Sequence, residues 1–203
     1  MLIKPASPGR TTKMRLLRQL PLAIPLLLAA LQPPLAYAEE RDEALLTAVY
    51  LYNFAQFTTW PTPFQTLHLC SLGTDQVTEV LPHLEGRTLR GSELAITPLT
   101  PEEPLDHCQM LYIATSEEAQ LADRLLRLQQ QPTLTISQIS GFAAQGGIIE
   151  LHRQQKRIRF IINLQQARSV GLEVSATLLR LATQVILEKR VILEKSEKEP
   201  QEP

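Results

Sequence analysis

Apolar and polar positions along the chain switch repeatedly between a helical period and strict alternation, and the switches mark the expected elements. Residues 41–59 repeat at helical spacing, with Asp42 as a cap and Pro61 as a stop. "TLHLCSLG" (66–73) alternates and ends at Gly73, a strand and a turn. "TDQVTEVL" carries a capping residue and apolar spacing for a short helix that Pro82 stops. "RTLRGSELAITPL" reads as two short strands around Gly91. A Pro-rich acidic loop (100–107) leads into "CQMLYIA" (108–114), a buried strand. "SEEAQLADRLLRLQQQ" has Ser116 as cap, acids in the first turn and Leu at helical spacing. "TLTIS" (133–137) is a further strand, and "QGGIIELH" and "KRIRFIIN" flank "RQQ" as a hairpin. "VSATLLRLATQVILEKR" predicts a long helix from near Ser175. The order predicts a single α/β domain. Its mixed sheet has roughly six strands, at least one pair antiparallel, and about five flanking helices.

The first helix divides into two apolar faces at 100° per residue. Ala44, Ala48, Leu51, Tyr52 and Ala55 form a mostly small face suited to close approach to a sheet. Leu46, Tyr50, Asn53, Phe54 and Phe57 form a bulky opposite face. Six of the ten aromatic residues (Tyr50, Tyr52, Phe54, Phe57, Trp60 and Phe64) lie between 50 and 64. A helix on a sheet needs only one apolar face. The second is either covered from within the chain, or left open, with Trp60 and Phe64, as a surface for a partner or ligand.

Charge and composition change the picture at the N-terminus. Lys4, Arg10, Lys13, Arg15 and Arg18 precede "LPLAIPLLLAAL", and small residues follow at Ala36-Tyr37-Ala38, the layout of a secretory signal cleaved after Ala38. An uncleaved amphipathic anchor is the alternative. The expected division is a signal peptide at 1–38, a periplasmic domain at 39–190 and a charged, disordered tail at 191–203. "VILEK" occurs at 185–189 and again at 191–195, read as an extension of the last helix or a duplicated tail. Cleavage leaves 15 Lys and Arg against 21 Asp and Glu, a net of −6. That acidity disfavours nucleic acid and anionic lipid as partners. In an exported chain the pair Cys70 and Cys108 is most simply a disulfide; two buried free thiols are the alternative.

No catalytic motif stands out. Gly146-Gly147 lacks the third glycine of a dinucleotide fingerprint. His68, His83, His107 and His152 have no helical ligand spacing, so neither metal nor cofactor is expected. "RQQKRIR" (153–159) is a small basic patch read as the solvent face of the hairpin.

Five ordered stretches together resemble the YfiR family of periplasmic proteins: "AVYLYNFAQFTTWP", "LHLCSLGTD", "CQMLYIATSEE", "LTISQISGFAAQGGIIEL" and "RIRFIINLQQARSVGLEVSATLLRLA". The resemblance implies a non-catalytic regulator. It would repress an inner-membrane diguanylate cyclase through that enzyme's periplasmic sensor domain, and so control cyclic di-GMP and biofilm formation. An outer-membrane protein would sequester it, and a homodimer is possible. Cys70 and Cys108 match one of the family's disulfide pairs; the second pair is missing, which puts a two-bridge redox switch in doubt. The contact surface expected here is Tyr50, Asn53, Phe57 and Trp60, with Arg157 and Arg159 as a secondary edge. Two other readings stand beside it. One is a small-molecule sensor whose aromatic helix lines a pocket. The other is an enzyme using His152 or Glu150.

Overall fold

The computed structural model describes residues 35–187, with side chains from Glu40 onward. The chain divides into two compact units, Met1–Ala38 and Glu39–Pro203. The expected signal segment, apart from 35–38, the 191–203 tail and the second "VILEK" lie outside the described residues.

Five helices are described: α1 (Leu35–Gln56), α2 (Gln76–Val80), α3 (Leu121–Leu128), α4 (Leu164–Ser169) and α5 (Ala176–Leu181). The strands are β1 (Thr58–Thr59), β2 (Thr66–Leu72), β3 (Thr88–Leu89), β4 (Ser92–Leu99), β5 (Met110–Ile113), β6 (Leu134–Ser137), β7 (Ile149–Gln154), β8 (Arg157–Asn163), β9 (Glu173–Val174) and β10 (Gln184–Ile186). Eight strands form one mixed sheet in the order β10-β8-β7-β6-β5-β2-β4-β3, two more than expected; β1 and β9 make a separate ladder. The sheet is parallel from β4 through β7, with antiparallel pairs β3–β4 and β7–β8 and a parallel β10 on β8.

Alternation along the strands sorts the core into two layers. Leu67 and Leu69 of β2, Met110 and Tyr112 of β5, Leu134 and Ile136 of β6, and Ile158, Phe160 and Ile162 of β8 share one cluster with Ala44, Ala48, Leu51, Phe54 and Ala55 of α1. Cys70 and Leu72, Leu111 and Ile113 share the other cluster with Leu121, Leu125 and Leu128 of α3 and with Phe142. Helices on both faces bury the central strands, which is why β5 and β6 are buried at every position.

Several expectations are corrected. In the full chain α1 begins at Leu35, so Asp42 is interior and caps nothing. The segment after β5 is a 3₁₀ helix, Thr115–Gln120, followed by α3. Ser116 does not cap it; its Oγ accepts the Thr74 N–H at 2.8 Å. The hairpin turn is Gln155-Lys156, both with positive φ, rather than "RQQ". The last helix among the described residues is only α5. Ala182 turns to an extended conformation, and the Thr183 N–H and Oγ1 both donate to the Phe160 carbonyl at 2.9 Å. That capture lays Val185 and Ile186 beside β8 as an edge strand, so the first "VILEK" begins in a strand and not in a helix.

Candidate interaction site

The inner side of α1 is sealed. Ala44, Ala48 and Ala55 let the helix approach the sheet closely, and Leu51 and Phe54 fill the space beneath. Phe54 therefore belongs to the core and not to the outer aromatic face assigned from helical spacing. Its ring stacks edge-on to Phe160 of β8 at 5.1 Å, and Tyr50 stands 6.0 Å from Phe54 and 6.3 Å from Phe160. Such pairs contribute about 0.5–1.5 kcal/mol each beyond the area they bury. Tyr50 and Phe57 are half-buried, and Asn53 is exposed. The outermost strip of the helix carries Leu46 (48% exposed) and Val49 (47% exposed) in line with Asn53. Among the described residues this apolar strip is left about half exposed, on the side of the helix away from the core.

Beyond α1 the chain turns through "TTWPTPF". The Ser175 N–H donates to the Phe57 carbonyl at 2.9 Å, and β1 pairs with β9, which fixes the start of this loop. Trp60 is half-buried with Phe64 edge-on at 5.4 Å, and its indole Nε1 donates to the Gln109 carbonyl at 3.0 Å. On the other side, Tyr52 OH donates to the Thr88 carbonyl at 2.8 Å. Arg90 donates from Nη1 to the Thr58 carbonyl at 3.3 Å and from Nη2 to the Gln56 carbonyl. Between these segments lies an open hollow of about 340 Å³, walled chiefly by Trp60, Pro61, Pro63, Phe64, Leu89 and Arg90. Its size sits at the low end for a small-molecule pocket. Sequence reasoning missed Arg90. Its signal was the "RG" pair at 90–91, where both residues hold positive φ in the β3–β4 turn.

A second cluster lies at the other core layer. Cys70 and Cys108 form a disulfide that spans 38 residues with Cα atoms 5.8 Å apart. The His107 Nε2 lies 3.9 Å from the Cys70 Sγ, and the His68 and His107 rings are 6.0 Å apart, edge to face. Their 39-residue separation hid this meeting from spacing rules. Gln109 links the two clusters, since its Oε1 accepts the His68 N–H at 2.8 Å while its carbonyl holds Trp60. The acidic loop before Cys108 is tied down by α3: Arg124 and Arg127 both donate to the Pro101 carbonyl, and Arg127 also to that of Glu103. The Thr100 N–H holds the Glu103 carboxyl below its ordinary range.

The remaining expected residues do not join Trp60. Arg157 is exposed and lines a separate 210 Å³ hollow with Asp42, Leu46 and Lys156. Arg159 is half-buried on β8, directly across from His152 of β7. Glu150 is buried and accepts the N–H groups of Gly141 and Ala143 at 3.1 Å each, a structural use of both oxygens. Among the described residues no helix is long and apolar enough to cross a membrane.

Comparison with known families finds a match over residues 44–183 to a family described as YfiR/HmsC-like. The match begins at Ala44, one of the buried alanines of α1, and ends at Thr183, the threonine that seats β10. No curated protein matches the chain.

Proposed function

The chain belongs to the YfiR/HmsC-like family, a group tied to regulation of the cyclic di-GMP pathway, and from that membership we propose that it is a periplasmic repressor of an inner-membrane diguanylate cyclase. In this reading the signal at 1–38 is removed after Ala38. The mature domain binds the cyclase's periplasmic sensor domain in its inactive state, and a protein of the outer membrane competes for it. No bond is broken in the process. Control is a population shift, and a near-complete switch needs about 5.5 kcal/mol of preference for the inactive state.

The observation that carries the reading is the outer strip of α1. Leu46 and Val49 stay about half exposed on a helix whose other side is locked in the core. Tyr50, Asn53 and Phe57 continue the strip toward Trp60, and Arg157 borders the hollow next to Leu46. Rigid aromatic anchors and a flanking cation suit a protein partner.

The test is a paired charge substitution, Leu46→Asp with Val49→Asp, on solvent-facing positions. Affinity for the cyclase's isolated periplasmic domain should fall at least tenfold by calorimetry, with the melting point little changed. Cells carrying the variant should raise cyclic di-GMP to the level of a deletion strain. Unaltered affinity in the double variant, or a deletion strain with unaltered cyclic di-GMP, would defeat the proposal.

A further inference from the structure

We propose that the Cys70–Cys108 cluster is a two-state site: a disulfide when oxidised and, once reduced, a tetrahedral site for Zn²⁺ with His107 and His68. Three ligand atoms, from Cys70, Cys108 and His107, already lie within 4.8 Å of one another. In a tetrahedral zinc site, bonds of about 2.3 Å to sulfur and about 2.0–2.1 Å to nitrogen put the S···N span near ~3.6 Å and the S···S span near ~3.8 Å. The Cys70 Sγ to His107 Nε2 distance is 3.9 Å, so that edge of the tetrahedron is nearly formed. His68, two residues before Cys70 on the same face of β2, has its ring centroid 6.0 Å from that of His107 and is the fourth ligand assigned, reached by turning its side chain toward the sulfurs.

The surroundings favour the same assignment. The His107 nitrogen facing the sulfur is Nε2, while its Nδ1 lies 3.9 Å from the Asp106 carboxylate. The usual outer partner of a metal-bound histidine is a carboxylate hydrogen-bonded to the far ring nitrogen, and the exposed Asp106 side chain would have to close from 3.9 Å to serve as one. The sheet sets the backbone of His68 and Cys70, and the turn before β5 holds Cys108, whose N–H donates to the Leu105 carbonyl and whose carbonyl accepts the Thr133 hydroxyl. Cys70 is registered opposite Leu111 on β5, three residues after Cys108, and the Gln109 side chain pins the His68 N–H. Parting the sulfurs therefore asks for side-chain rotation and not for strand movement. His107 is 42% exposed and gives the ion and the reductant a way in, although both cysteines are buried.

The chemistry balances with a dithiol reductant. Two electrons and two protons pass from it to the disulfide, giving two thiols here and a disulfide there. Zn²⁺ then displaces both thiol protons. Metal and disulfide exclude each other, because each uses both sulfurs.

The test uses the full chain, reduced with a phosphine and titrated with Co²⁺ as a spectroscopic stand-in. The reduced chain should take up one Co²⁺ with sulfur-to-metal charge-transfer bands and tetrahedral visible bands, both displaced by Zn²⁺. The oxidised chain should show neither. His107→Ala should weaken binding at least tenfold, with His68→Ala similar and Asp106→Asn smaller. Because reduction lowers stability, melting of the reduced chain is followed in parallel. Zn²⁺ should raise the melting point of the wild type but not of His107→Ala. Absence of charge-transfer bands in the reduced chain overturns the site. So does equal affinity in wild type and His107→Ala, or in the native and the urea-unfolded chain.

Discussion

The Asp75 carboxylate accepts four hydrogen bonds, two from its own helix and two from outside it. Its Oδ1 takes the N–H groups of Val77 and Thr78, capping α2, and its Oδ2 takes Tyr112 OH at 2.8 Å and the Thr115 N–H at 3.1 Å. One carboxylate therefore joins the turns after β2 and β5 at the ends of adjacent parallel strands. Asp75→Ala removes a cap and leaves a buried phenol without its main acceptor, so it should cost about 3 kcal/mol in urea unfolding. Tyr112→Phe removes the hydroxyl and leaves Asp75 Oδ2 with the Thr115 N–H, and should cost about 1 kcal/mol. Burial, then the Asp75 charge and hydrogen bond, push the Tyr112 hydroxyl well above its ordinary value of 10.0. The folded protein thus keeps a proton that the unfolded chain releases above about pH 10. The stability tied to that proton is intact below that pH and is lost as pH rises further. Unfolding free energy should therefore fall less steeply above about pH 10 in Tyr112→Phe than in the wild type. The cap itself was legible, because Asp75 precedes an apolar-spaced run. Its second use was not, since Tyr112 lies 37 residues on.

Elements were read well where the pattern and the burial agree. The strands at 66–72, 88–89, 92–99 and 134–137 and the 149–163 hairpin fall where alternation put them. The failures share a cause. "SATLLRLATQVILEKR" is apolar at helical spacing, but the Phe160 carbonyl competes for Thr183 and draws Gln184–Ile186 into the sheet. Helical spacing also put Phe54 outside, although it sits close enough to the buried face of α1 to turn its ring onto Phe160. In both cases a tertiary partner distant in sequence overrode the local period. The β7–β8 hairpin shows the reverse, a fold that holds against local preference. Gln155 and Lys156 take φ of 48° and 62° in a two-residue turn that favours Asn-Gly. Gln155→Asn with Lys156→Gly should accordingly stabilise the protein by about 1 kcal/mol, measured as a higher urea midpoint at unchanged slope. No gain would mean that the turn carries no strain to relieve.

At the scale of the whole molecule the two core layers separate two jobs. The cluster under α1 shares no buried residue with the cluster that holds Cys70, Cys108 and α3. The sheet stands between them, and the described link is Gln109, bonded to Trp60 on one side and His68 on the other. The disulfide closes a 38-residue loop containing β3, β4 and the acidic segment. Opening a loop of that length releases about 4 kcal/mol of denatured-state entropy in the chain-entropy model. Cys70→Ala with Cys108→Ala should therefore lower unfolding free energy by about that amount, while α1 keeps its own packing of Leu51, Phe54 and Phe160. If regulation works through the outer strip of α1, the bridge acts on how much folded protein exists and not on how well each folded molecule binds. Affinity for the cyclase domain, measured well below the variant's melting temperature, should then match the wild type. A weaker affinity per folded molecule would show instead that the Gln109 link carries the state of the cysteines to Trp60, and that the two layers act as one.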